Sequence, residues 1–315
     1  MALAREARRQ RPVGTVPTMV LAGDVDPGPL RAAGWSLRGS LSGFSYTDLA
    51  DSALAGDSAY SCAADLAADG RIDAVAVDGT EPELVALLPE LRASGLLLLL
   101  PTAAPLDPAA VRAARAVPEG ADACVGLLAR WEPWALTVAA ALPLAGGWPV
   151  QVTVRGWPPG RQQAAELVDL VASWCGEVVA VVAAPAAELP AHELPATEQA
   201  GSARVSWALL TASGATVLVS HDGPAPLVRL SFAAARLEAG PAGVRWEGGQ
   251  ALPLLRPSAP GLIATAAALA QAIGGADVPA QTWPWPADLS DLLVVARVLE
   301  ALRTSARTQA LVPVA

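Results

Sequence analysis

Apolar and polar positions divide the chain into two regimes. In the first, Thr18–Ala22, Ile72–Val77, Leu96–Leu100 and Ala123–Leu127 are short, continuous apolar runs. That is the pattern of strands buried on both faces of a parallel sheet. Between them, Pro29–Ala33, Ser61–Asp69, Pro82–Ser94 and Pro108–Ala116 have helical spacing. Gly70 and Gly95 stand where helices end, and Asp107 with Pro108 stands where one begins. Met1–Gln10 reads as a further helix with Arg on its polar side. Ser36–Asp57 is Gly/Ser-rich and reads as irregular, apart from a helix over Tyr46–Ala55. The alternation predicts a parallel sheet with helices on its faces.

In the second regime, Trp134–Leu142 and Ala164–Cys175 read as helices, the latter ended by Gly176. Val150–Gly156 and Val178–Ala183 read as strands. Ala203–Thr211, Thr216–Ser220, Leu227–Ala233, Arg236–Glu238 and Val244–Trp246 follow as short strands at hairpin-like spacing, which predicts an antiparallel or mixed sheet. Two helices, Pro260–Ile273 and Leu289–Ala306, close the chain. The expected organisation is an α/β domain over 1–127 and an α+β domain over 128–315. The C-terminal helices can pack back on the first domain.

Composition narrows the chemistry. The chain has 315 residues and a net charge of −9, and all 21 of its basic residues are Arg. Lys and Asn are absent, as a strongly GC-biased coding sequence would produce. Without Lys there is no Schiff base, no phosphate-loop lysine and no lysine acid or base. The acidic balance argues against nucleic acid as a partner. A mean hydropathy of +0.40 raises the question of a membrane. The most apolar run, Leu96–Leu100, is far shorter than the ~20 residues a span needs. No apolar segment follows the N-terminal arginines, so a secretory signal is not expected. Cys62, Cys124 and Cys175 are scattered, which fits a reducing cytoplasm.

Several phrases, in order, resemble the Gfo/Idh/MocA oxidoreductases. Leu21-Ala22-Gly23-Asp24-Val25-Asp26-Pro27 resembles that family's second strand with its "AxxDxDP" ending. Ile72-Asp73-Ala74-Val75-Ala76-Val77 with Thr80-Glu81-Pro82-Glu83 resembles "DAVxVATPPxxH". Gly95 through Leu106 is similar to "GKHVLxEKPLA", and Arg130-Trp131-Glu132-Pro133 to "RRFxP". Glu166-Leu167-Val168-Asp169 with Trp174-Cys175-Gly176-Glu177-Val178 is similar to "HxxDxxxWLxGEV", and Ser305-Ala306-Arg307-Thr308 to "SAxTG". The resemblance implies a truncated Rossmann-like parallel-sheet domain followed by an α+β domain with a large open mixed/antiparallel sheet. In the family that sheet usually makes the oligomer contact, so a homo- or hetero-oligomer through the C-terminal sheet is expected.

The same resemblance implies lost chemistry. On this alignment the chain begins after the family's first strand and its GxGxxG loop, with Met1–Gln10 in place of the helix that follows the loop. Asp24 is then at most a vestige of the ribose-binding Asp, and its simpler account is a turn carboxylate. Pro101-Thr102-Ala103-Ala104-Pro105 lies where the family's "EKP" lysine is expected. The family's catalytic His falls on Glu166, its other His falls on Val85, and Asp169 is retained. Without glycine loop, Lys and His, ordinary hydride transfer is not expected, and no cofactor is expected, NAD(P) being the alternative.

Glu166 and Asp169, three apart on one helix face, are the candidate acid–base pair. Arg130 and Arg155 are candidates to hold an anionic ligand in the cleft between the domains. Trp131, Trp134 and Trp157, with Trp148 and Trp174, are candidates to line an apolar pocket there; core packing is the plainer account. Trp283-Pro284-Trp285-Pro286 reads as a rigid loop for a partner subunit. His192 and His221 fall outside every motif, and no metal is expected. Three functions follow as expectations. One is a cofactor-independent, non-redox enzyme (a cyclase, isomerase or lyase) acting on a small-molecule substrate in an actinobacterial-type biosynthetic pathway. A second is a non-catalytic scaffold or regulatory subunit for an active paralogue. The third is an NAD(P)-dependent reductase of the imine-reducing type with an altered site.

Overall fold

The structure, a computed structural model, describes residues 16–41, 60, 62–102, 107–117, 123–183, 207–247, 251–257, 259, 261–273 and 287–314. The expected helices at Met1–Gln10 and Tyr46–Ala55, His192 and the Trp283–Pro286 loop lie outside the described residues. The chain divides into two compact units, one of Met1–Leu127 with Ser258–Leu293 and one of Leu128–Pro257 with Val294–Ala315.

The first unit holds a five-stranded parallel sheet made of β1 (Thr18–Ala22), β2 (Ser36–Ser40), β3 (Ala74–Val77), β4 (Leu97–Leu100) and β5 (Ala123–Val125). The order is β2-β1-β3-β4-β5. β1 and β3 are buried at every position, as their continuous apolar runs require. β2 falls in the stretch read as irregular. It has little hydrophobic pattern of its own and is drawn into strand form by pairing with β1, through bonds such as Ser36 N–H to the Pro17 carbonyl at 2.9 Å. Tyr60 extends the sheet beyond β2, pairing parallel with Leu41.

Helix α1 (Pro27–Ala32) follows β1, α2 (Ala63–Ala68) precedes β3, and α5 (Pro108–Arg115) joins β4 to β5. Where one helix was expected over Pro82–Ser94, there are two, α3 (Pro82–Ala86) and α4 (Leu88–Ala93). The break is at Leu87, two residues before Pro89, which lacks an N–H and whose ring would strike the carbonyl four residues back in a continuous helix. A further helix of this unit comes much later in the chain. α8 (Gly261–Ile273) packs into the core of the first unit, where Ala266 and Leu269 meet Met19, Leu21, Val25 and Leu30. The Trp35 indole N–H donates to the Ala266 carbonyl at 2.9 Å.

The second unit opens with a 3₁₀ turn, Leu128–Trp131, then α6 (Pro133–Ala141), β6 (Gln151–Arg155), α7 (Arg161–Cys175) and β7 (Val178–Ala183). A run of strands follows: β8 (Trp207–Thr211), β9 (Thr216–Val219), β10 (Leu227–Ser231), β11 (Arg236–Gly240), β12 (Gly243–Trp246) and β13 (Ala251–Leu252). Helix α9 (Leu289–Thr308) and β14 (Val312–Pro313) end the chain. The nine strands form one mixed sheet, ordered β13-β12-β11-β10-β6-β9-β8-β7-β14, in which only β6 and β9 pair in parallel. Strand alternation separates its faces: Val152 and Val154 of β6 are buried, whereas Gln151 and Arg155 are exposed. The fold class is thus α/β, a parallel-sheet domain with an α+β domain built on a large, mostly antiparallel sheet. No described helix is long and apolar enough to cross a membrane.

Candidate functional site

Helix α7 carries the carboxylates singled out in the sequence. Its apolar positions Leu167, Val168, Leu170 and Val171 are buried, so Glu166 and Asp169 are drawn toward the interior with them. Arg130 comes from the 3₁₀ turn and is itself buried. Its Nε donates to Asp169 Oδ2 at 2.6 Å and its Nη2 donates to Asp169 Oδ1, a two-toothed ion pair with both side chains under 10 % exposed. Such a pair is held by its planar fork geometry. Arg130, expected to anchor a ligand, and Asp169, expected to share proton work with Glu166, are thus bound to each other.

Glu166 has a partner of its own. Its Oε1 accepts from the Gln162 side-chain amide at 3.0 Å, one helical turn back. Burial pushes its carboxyl above the ordinary 4.5, opposed by hydrogen bonds from Gln162 and the Leu128 backbone N–H, with the charges of Asp169 and Glu132 adding to the rise. The group is consequently easier to protonate than a surface Glu, which suits a proton donor or acceptor nearer neutrality.

The tryptophans divide. Trp134 meets Trp157 edge-on at 6.3 Å and Trp174 at 5.9 Å, and all three are buried. They pack against one another within the second unit. The Trp157 indole donates to the Gln163 carbonyl at 2.7 Å, which ties it to the first turn of α7. The Trp174 indole nitrogen is buried without a hydrogen-bond partner. Trp131 is half-buried and Trp148 is exposed. Arg155 projects from the exposed face of β6, opposite Val152 and Val154. His221 rests its Nδ1 at 2.8 Å from the Trp157 carbonyl, and the Cys175 thiol is pushed up to about 12 by burial. Among the described residues no group of three His, Cys, Asp or Glu side chains is placed to hold a metal ion.

A second candidate emerges from strand order, and it corrects the alignment drawn from sequence. β1 lies between β2 and β3, and Tyr60 pairs on the far side of β2. The positions read Tyr60, β2, β1, β3, β4, β5, which matches the 3-2-1-4-5-6 order of dinucleotide folds when β1 is the first strand. Thr18–Ala22 is thus the central first strand and not the second. The turn after it, Gly23-Asp24-Val25-Asp26-Pro27-Gly28, occupies the place of the glycine loop. Gly23 and Gly28 stand at the first and third glycine positions of GxGxxG, and Val25 stands at the middle one.

The turn's details follow from these residues. Gly23 has φ of +85°, and a Cβ there would lie 2.6 Å from the Asp78 Cβ. The Val25 side chain is 3 % exposed and belongs to the core. Asp26 caps α1, its Oδ1 accepting the Gly28 N–H at 2.9 Å. Asp24 is exposed in the turn, which fits the turn-carboxylate account. Asp78, at the end of β3, is buried and accepts from the Thr80 N–H and hydroxyl at 2.9 and 2.8 Å. Neither Asp26 nor Asp78 stands out as a site residue in the sequence. The available signal was the acidic residue that terminates each apolar run.

No sequence-family model matches the chain, and no curated protein matches it in sequence. Solved structures do match nearly end to end. The WlbA dehydrogenase of Bordetella pertussis, in complex with NADH and UDP-GlcNAcA, superposes with a TM-score of 0.73 at 17% identity, covering 96% of this chain and 99% of that one. The aldose-aldose oxidoreductase of Caulobacter crescentus, complexed with glycerol, gives 0.71 at 16% identity over 95% and 100%. An inositol dehydrogenase homologue from Azotobacter vinelandii, complexed with NADH and myo-inositol, gives 0.70 at 13% over 96% and 98%. At these identities the likeness establishes the fold, that of the Gfo/Idh/MocA-type NAD-binding oxidoreductases.

Proposed function

We propose that this chain is a cofactor-independent enzyme on a dehydrogenase fold, a non-redox cyclase, isomerase or lyase that works by moving a proton, with Glu166 as the acid or base. The observation that carries the reading is the setting of Glu166: a carboxyl raised by burial, on the helix that also carries Asp169 of the buried Arg130–Asp169 ion pair. A raised carboxyl is the group that proton-transfer chemistry at neutral pH selects. The substrate is a small molecule, in keeping with the sugar-type ligands named for the neighbours.

The test is solvent-deuterium exchange. The full-length protein is incubated in D2O with a pooled small-molecule extract and no added nucleotide, and uptake is read by mass spectrometry. At least one metabolite is expected to gain deuterium or be consumed, with the rate falling about 100-fold or more in Glu166→Gln. Equal exchange by both proteins removes Glu166 from the mechanism.

A second reading, a non-catalytic subunit, is favoured by the exposed face of the large sheet. Val182, Leu210 and Leu218, each 37–41% exposed, project there from neighbouring strands β7, β8 and β9. An apolar stripe of this kind suits a subunit contact, with a second copy or a paralogue. Absence of exchange by the wild-type protein favours this reading.

A further inference from the structure

The turn that follows β1 sits where dinucleotide folds bind pyrophosphate, so whether its groups fit that ligand is a physical question. Three features let such a turn hold a diphosphate. The middle residue lacks a side chain so that the backbone can approach, the helix N-terminus offers free N–H groups, and the macrodipole of a long helix favours negative charge.

None of the three is present in this turn. The middle position is Val25, whose side chain is committed to the core beside Leu30. The Gly28 N–H, which a phosphate would claim, is already bonded to the Asp26 carboxylate. The helix α1 has only six residues, and its dipole is correspondingly small. In addition, the groups presented at the mouth are anionic. Asp24 and Asp26 are exposed on the turn, and Asp78 abuts Gly23 at the end of the neighbouring strand. This is the point where the strand order reverses and where ligands of open α/β sheets bind. The basic side chain of α1, Arg31, lies in its last turn, away from these groups.

We infer that this crevice is closed to dinucleotides by its own side chains: Asp26 takes the place of the phosphate, and Asp24 and Asp78 repel one. The inference deepens the reading of a cofactor-independent protein by giving its physical reason, and it stands on residues of the first unit alone.

The test is titration of the full-length protein with NADH and NADPH, followed by calorimetry and nicotinamide fluorescence. No saturable binding is expected up to about 1 mM. The variant Asp24→Ser/Val25→Gly/Asp26→Ser removes both turn charges and places glycine at the middle position, while the serine hydroxyl introduced at the cap still offers an oxygen to the helix. It is expected to gain affinity by at least about tenfold. Because Val25 is buried, Asp24→Ser/Asp26→Ser serves as a second variant that leaves the core intact, with a gain in the same direction. Micromolar binding by the wild type overturns the inference, as does a failure of both variants to bind better. Binding by the wild type leaves the nucleotide-free exchange at Glu166 to be judged separately. Absent exchange with absent binding overturns the Glu166 reading and leaves this inference standing.

Discussion

Arg130 and Asp169 show how one contact couples two residues far apart in the chain. The pair is buried, so its two charges are in water only in the unfolded chain, and the cost of removing them from water is offset by the two hydrogen bonds between them. Removing one partner leaves the other buried without this charge contact. Arg130→Ala is therefore expected to lower stability by about 3–5 kcal/mol in urea denaturation, while Arg130→Met/Asp169→Leu costs much less. A loss under about 1 kcal/mol for the single variant would mean that the pair is solvated. Both residues were picked out in the sequence, 39 positions apart, but as separate ligand-binding and acid–base groups. Their mutual engagement depends on the 3₁₀ turn meeting α7, a tertiary contact that no local pattern encodes.

At the scale of elements, the fully buried strands and capped helices were legible, because apolar runs, Asp caps and first-turn prolines act locally. Asp107 ahead of Pro108 is the clearest case, with its carboxylate accepting the Ala109 N–H at 2.9 Å. β2 was not legible, since Ser36–Ser40 is a strand only by virtue of its pairing with β1. The joint between β1 and α1 is the element on which the reading of the first unit turns, and it can be probed directly. Gly23→Ala meets both an unfavourable backbone and the Asp78 and Leu84 side chains, whereas Gly34→Ala, at φ of +89°, meets open space. Gly34→Ala is expected to cost about 1 kcal/mol from the backbone and Gly23→Ala at least about 2 kcal/mol more, read from thermal or denaturant melts. Equal costs would show that the turn yields to the added methyl.

At the scale of the whole molecule, Glu166 links proton uptake to folding. A carboxyl whose folded pKa is raised contributes its full stability below its ordinary value of 4.5, and that contribution is lost as pH rises through the higher folded value. Glu166→Gln cannot ionise. Its melting temperature relative to wild type is thus expected to rise between pH 4 and pH 7, with the change confined to the window from about 4.5 upward. A constant difference across that range would mean that Glu166 titrates as a surface group.

The succession of apolar runs and amphipathic stretches sufficed for two domains of different architecture, because burial periodicity is written residue by residue. Composition likewise sufficed to exclude lysine chemistry, since an absent residue type is absent in any fold. The identity of β1 was another matter. Read along the chain, the phrase Leu21–Pro27 resembles a second strand with its aspartate, and the glycine loop looks deleted. Read across the sheet, the same strand is central, and the loop is present with Val25 and Asp26 in it. A strand's place in a sheet is set by its hydrogen-bonded neighbours, here β3 and β2, which lie far from it or follow it without pattern. Only their pairing turns a missing motif into an altered one.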